Sequence, residues 1–329
     1  MITREVKFCN LDEAFFPVEE QPISRGKFWD RGTRVPGYKA IVDIETGRTL
    51  SIVSRKYRMI NNREAYEIAD YVVRAIFDGK TLQDFQCYNI LMPQTRGSCR
   101  IDLIIPNNFN LLFGSDKESW TPFVRISNSY NRTMVLKYEI GFCRWICMNG
   151  MIFGQTGVTF SLTHLGRMTR TEIDKLIERS RKQIGDIGSL WNAFERKMQI
   201  LHDTMLPSSS ALAIYCKAFD IKVNKEELTV TQEEGLAMRA KQIVTASKEY
   251  FKELGNNAYA MMNVLTDFAS FPEWINSRAN YVDGYQRKVG RWVDEFIIEI
   301  QKPNFNLSRY IGVEYQNTAY YLESLVPEE

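Results

Sequence analysis

"YEIGFCRWICMNG", residues 138–150, decides how the chain is read. As a strand it puts Tyr138, Ile140, Phe142, Arg144 and Ile146 on one face, and Glu139, Gly141, Cys143, Trp145 and Cys147 on the other. The two thiols would then lie roughly 13–14 Å apart at ~3.4 Å per residue. That is too far for one zinc bound about 2.3 Å from each sulfur. Asn149-Gly150 tolerates positive φ at both positions. The stretch therefore predicts a long strand with a structural thiol, closed by a tight turn, and no metal.

The neighbouring sequence extends that pattern in both directions. "YKAIVDI" (38–44) and "TLSIVSRKYRMI" (49–60) flank the turn signal "ETGR" and predict a hairpin. "LQDFQCYNILM" and "SCRIDLIIP" bracket "PQTRG", with Cys87 expected opposite about Ile104. "PFVRISNSY" and "TMVLKYEIGFCRWICMNGMIF" bracket "NR" as a third pair. One helix interrupts the series. Asn61 or Asn62 caps it, and Ala65, Ile68, Ala69, Val72, Val73 and Ile76 form its apolar stripe.

Near residue 165 the period changes from two to 3.6. Ile173, Ile177, Ile184, Ile187, Trp191, Phe194, Met198 and Leu201 recur with gaps of three and four, which predicts one long helix over 173–201 with a buried seam. Gly185 and Gly188 weaken it locally. Thr169 with Glu172 and Thr231 with Glu234 have capping-box spacing, and further helices are expected over 257–270 and 284–301. The fold class is α+β: an antiparallel β-rich part with one helix (domain 1–165), then a helical part with one long helix (domain 166–329).

Composition narrows the function classes. Lys+Arg number 42 and Asp+Glu 40, so bulk charge does not announce a nucleic-acid partner. The halves differ: 21 basic and 17 acidic residues in 1–165, against 21 and 23 after it. No apolar run approaches the ~18 residues of a membrane span, and the opening residues lack a signal peptide's apolar centre. Six cysteines without a secretory signal predict free thiols in the cytoplasm, and no membrane partner. Phosphate-loop, dinucleotide and zinc-protease motifs are missing, as is a nucleophile elbow. His164 and His202 stand alone. No cofactor and no catalytic residue is expected, and the chain points away from an enzyme. Asp84, Asp102 and Glu139 read as solvated faces or hairpin partners.

Three segments resemble the phage/plasmid-like protein family of unknown function. In 38–73, Tyr57 and Asn61 or Asn62 match its "Y-x-x-v-x-N". In 124–151, Asn128, Ser129, Arg144, Cys147 and Asn149 match "n-S" and "R-v-V-C-x-N". In 256–271, Asn263, Thr266 and Phe268 match "N-A-x-T-x-y". Where that family often has His-Asp-Gly, this chain reads Tyr130-Asn131-Arg132. The resemblance implies a mobile-element origin, and hence the host cytoplasm for a phage-encoded copy. It implies no activity.

The expected function is sequence-nonspecific binding of single-stranded nucleic acid in replication or recombination. Basic and aromatic residues interleave in "SRKYR" and "RISNSYNRTMVLKY". Arg55, Lys56, Tyr57, Arg58, Tyr130, Arg132 and Lys137 are the candidate contacts, the cations for phosphates and the rings for stacking. The alternative is a protein–protein interaction module modulating a host system, with the 173–201 seam supplying an interface or a homo-oligomer contact.

Overall fold

The structure is a computed structural model. It describes residues 7–26, 32–105, 109–112, 117–144, 149–152, 160–162, 171, 175, 178, 186–272 and 281–326.

The chain is α+β, with an antiparallel β-rich N-terminal part in two sheets and a helical C-terminal part. Strands β1 (Val18–Arg25), β2 (Thr33–Asp43) and β3 (Thr49–Ser54) form a three-stranded meander. Helix α1 (Asn62–Ile76) follows, with Asn61 accepting from Glu64 N–H as its N-cap. Strands β4 (Gln86–Leu91), β5 (Ser98–Ile104), β7 (Lys117–Ser129), β8 (Leu136–Arg144) and β10 (Phe160–Leu162) run in the order β10-β8-β7-β5-β4. Two short strands lie off that path: β6 (Phe109–Leu112) on β7 and β9 (Asn149–Met151) on β8. Helices α2 (Ile187–Asp203), α3 (Ala211–Phe219), α4 (Val230–Leu254), α5 (Ala258–Ser270), α6 (Val282–Ile300), α7 (Leu307–Ile311) and α8 (Val313–Ser324) complete the described chain.

The three hairpins form where the alternation placed them, with corrections in detail. A bulge between Cys87 and Asn89 moves the register, so Cys87 faces Leu103 rather than Ile104. Strand β8 ends at Arg144, and Arg144 pairs with Asn149, Cys143 with Gly150. Asn149-Gly150 therefore lies in a returning strand and not in the tight turn. Close packing explains the glycine there: an added Cβ would sit 3.1 Å from the Gln286 amide nitrogen. At Gly141 it would run into the Phe123 ring and the Met151 carbonyl. Cys147 and Trp145 lie outside the described residues, as does the Thr169–Glu172 box.

The single helix expected over 173–201 is broken. Asp186 is extended (φ −97°, ψ 177°) and caps α2 by accepting from Ser189 N–H at 2.8 Å. Gly185 and Gly188 on either side make a helix interior costly here. Ile187 is only half-buried, and the packed seam begins at Leu190 and Trp191. The longest described helix is α4, opened by a Thr229–Gln232 capping box, two residues before the Thr231 signal.

One hydrophobic core crosses residue 165. The inner face of α1 (Ala65, Ala69, Val72, Val73, Ile76) and one sheet face (Ile101, Trp120, Val124, Ile126, Tyr138, Phe142) join it to α2 through α8. Trp191 and Phe194 of α2 pack on Phe142, whose ring lies 5.8 and 4.5 Å from theirs. Trp120 donates to the Tyr259 hydroxyl on α5 at 3.0 Å. Every residue of α5 is buried, so it is the central helix. No described helix is long and apolar enough to cross a membrane.

Candidate functional site

The register aligns Asn89, Asp102, Arg125 and Glu139 across β4, β5, β7 and β8, on the sheet face opposite α1. One step along, Arg100, Ser127 and Lys137 align in the same way. The first turns of α6 add Asp283 and Arg287. Arg125, fully buried, holds Asp102 through two bonds of 2.6 Å and donates to Asp283 at 2.9 Å. Asn89 donates to Asp102 at 3.2 Å. Arg287 forks onto both oxygens of Glu139 and also binds Asp283. Lys137 reaches Glu139 at 2.7 Å, and Arg100 comes within 3.5 Å of Asp283.

Four cations thus share three carboxylates beneath α6, with Arg125, Asp102 and Glu139 buried and Lys137 and Arg287 at the rim. Removing such ions from water costs several kcal/mol each, and only full pairing offsets it. Burial alone would raise the Asp283 carboxyl. The Arg125, Arg287 and Arg100 guanidiniums outweigh burial and hold it well below the usual carboxylate range. For Arg100 burial wins, and its pKa falls despite Asp283.

The sign for acid stability follows from Asp283. Its folded pKa lies below its unfolded one, so its stabilisation is complete above about pH 4 and fades as pH drops towards the folded value. Asp283→Asn should lower the melting temperature at neutral pH, and the variant and wild-type curves should converge on acidification. Parallel curves from pH 7 to pH 2 would exclude Asp283 as the titrating group.

Of the two readings of Asp102 and Glu139, solvated face or hairpin partner, burial excludes the first: they are 0% and 1% exposed, and Asp102 meets Asn89 across the β4–β5 hairpin. Asp84 is exposed, and it caps a turn by accepting from Thr81 N–H at 2.8 Å. The missed signal was charge inside apolar strand runs, "CRIDLI", "FVRIS" and "KYEIG". In a sheet covered on both faces, such charges must meet partners there. The network ties α6 to β5, β7 and β8 through Asp283 and Arg287. Among the described residues, no group of three or more His, Cys, Asp or Glu is arranged to hold a metal.

The family-motif positions are junction pins. Asn128 donates to Ile60 O and Asn62 Oδ1, both at 2.9 Å, and Asn62 donates to Ala14 O at 2.8 Å. Ser129 Oγ closes the β7–β8 turn by donating to Met134 O at 2.7 Å. Arg144 is buried and donates to Glu253 of α4 at 2.8 Å. Asn149 lies in β9.

The candidate nucleic-acid contacts divide. Tyr57 and Tyr130 are 6% and 1% exposed, members of the core under the small sheet with Phe16, Ile41 and Val53. Tyr57 donates to Ser129 O at 3.4 Å, and the Tyr130 hydroxyl accepts from Asn62 N–H at 3.0 Å. Neither ring has a free face for a base. Arg58 is engaged by Glu64 at 2.5 Å, and Lys137 belongs to the buried network. Arg55 and Lys56 are exposed in the turn after β3. Arg132 is exposed at the β7–β8 turn with φ 63°, near enough to Tyr57 to act on its hydroxyl. Sequence reasoning missed Tyr38, whose ring is 54% exposed opposite Ser54, beside Arg55. Arg34 and Arg25 are exposed at the same end of β2 and β1.

Fold and site together define a two-sheet α+β domain, closed by helices and held by a buried ionic network. The chain belongs to the family described as Domain of unknown function (DUF932), whose model matches residues 49–271. Asp283 and Arg287 lie beyond the matched span. No curated protein and no solved structure matches the chain.

Proposed function

We propose that the chain binds single-stranded nucleic acid, without sequence preference, at the free end of the three-stranded sheet. The supporting observation is that exposed Arg25, Arg34, Arg55, Lys56 and Tyr38 all lie towards the same end of the three-stranded sheet. The nearby Glu20 is taken up by Lys39 at 2.6 Å. Cations track the phosphates, and one ring stacks a base that a duplex keeps enclosed. On a phage or plasmid, the origin the motif resemblance implies, such binding serves replication or recombination.

The test is a fluorescence-anisotropy titration with a labelled oligonucleotide at two salt concentrations. Affinity should fall with salt at a slope of roughly −0.7 per neutralised phosphate. Arg34→Ala/Arg55→Ala/Lys56→Ala should weaken binding at least about tenfold, and Tyr38→Ala should lose about 1–3 kcal/mol. No binding at low salt, or binding untouched by these changes, removes the reading in favour of the protein–protein module.

A further inference from the structure

We infer that Cys9 and Cys87 form a reversible disulfide when the chain meets a peroxide, a modification independent of the nucleic-acid reading. The segment before the turn Leu11–Ala14 runs beside β4, where Cys9 N–H donates to Cys87 O at 2.8 Å. A bond of this kind is one of the two in a hydrogen-bonded antiparallel pair, whose Cα atoms lie about 5.5 Å apart, within the 4.4–6.8 Å that a disulfide requires. Both side chains belong to the same apolar cluster, Cys87 within it and Cys9 packed against its edge. Cys9 is partly exposed and Cys87 is buried. Cys99, Cys143 and Cys216 are enclosed at 1%, 0% and 0%. The geometry thus places a partly accessible thiol beside a second one on the neighbouring strand, which is the arrangement a sulfenic acid needs in order to be resolved as a disulfide.

The chemistry balances with hydrogen peroxide as oxidant. The Cys9 thiolate attacks one peroxide oxygen, the O–O bond breaks, and a sulfenic acid forms with release of hydroxide. The Cys87 sulfur then attacks the Cys9 sulfur and displaces the sulfenic oxygen as water, carrying the thiol proton. Two thiols and one peroxide give one disulfide and two waters. Burial raises both thiols above their ordinary value, Cys87 further than Cys9, so thiolate supply limits both steps and the rate should climb with pH. The bond closes a loop that contains the whole three-stranded sheet and α1, tying the N-terminal segment to β4.

The full-length chain is treated with hydrogen peroxide at pH 7 and pH 9, alkylated, digested and mapped by mass spectrometry. The expected product is a Cys9–Cys87 linked peptide pair, two hydrogens lighter than its parts. It should form faster at pH 9, reverse with dithiothreitol, and raise the melting temperature by several degrees. Cys9→Ser should leave Cys87 unmodified, while Cys87→Ser should let Cys9 proceed to sulfinic acid. Overturning results are sulfinic acid on Cys9 of the unaltered chain with Cys87 still reduced, a link from Cys9 to another cysteine, or no oxidation of either residue.

Discussion

Replacing Arg125 by alanine is expected to cost about 3–5 kcal/mol of unfolding free energy, the range for breaking a buried ion pair from one side. The variant leaves Asp102, fully buried, with only the Asn89 amide as partner, and takes from Asp283 its 2.9 Å bond. Urea denaturation followed by circular dichroism would measure the loss as a shifted midpoint at constant slope. Replacing Asp102 and Arg125 together by leucine should cost less than Arg125→Ala alone, because no buried carboxylate is then stranded. A loss below about 1 kcal/mol for Arg125→Ala, the worth of an exposed pair, would mean that water reaches the network.

Phe194→Ala is expected to remove another 3–5 kcal/mol or so. Its ring lies 4.5 Å from Phe142 and 5.0 Å from Trp120, so its loss opens a cavity between α2 and two central strands. Because this cluster joins parts on either side of residue 165, sheet and helices should unfold together. Tryptophan fluorescence, to which Trp120 and Trp191 contribute among the six tryptophans, and far-ultraviolet dichroism should give one shared midpoint, lowered in the variant. Separate midpoints in the wild type would contradict a single cooperative core.

Much of this architecture is legible in local sequence. Alternation fixes the hairpins around Gly47, Pro93–Gly97 and Asn131-Arg132, since a half-buried strand must repeat every second residue. Asn61 announces α1 because an amide oxygen can accept from a first-turn N–H. What stays hidden is non-local. The Asp186 break overrides an apolar seam that alone reads as continuous. Arg125 meets Asp283 from 158 residues away, a distance no window spans. Tyr57 and Tyr130, aromatics among cations, have the pattern of a stacking surface. They are instead the seal between two sheets, because the small sheet needs large rings beneath it. Tyr38 carries the same kind of ring outward, and only the pairing of β2 with β3 reveals which tyrosine faces water.

The aligned charges have a further consequence for how the sheet assembles. Side-chain alternation already forbids a slip of one residue, which would turn every apolar side chain to the wrong face. A slip of two preserves the apolar pattern, so something else must reject it. Moved one way, Arg125 would leave Asp102 and Glu139 and stand opposite Arg100 on β5 and Lys137 on β8, like charges on both sides. Moved the other way, it would face Ile104 and Gly141, with no partner for a buried guanidinium. Either mispairing strands charge in the interior, so the row of ions acts as a proofreading key that only the native alignment of strands can turn.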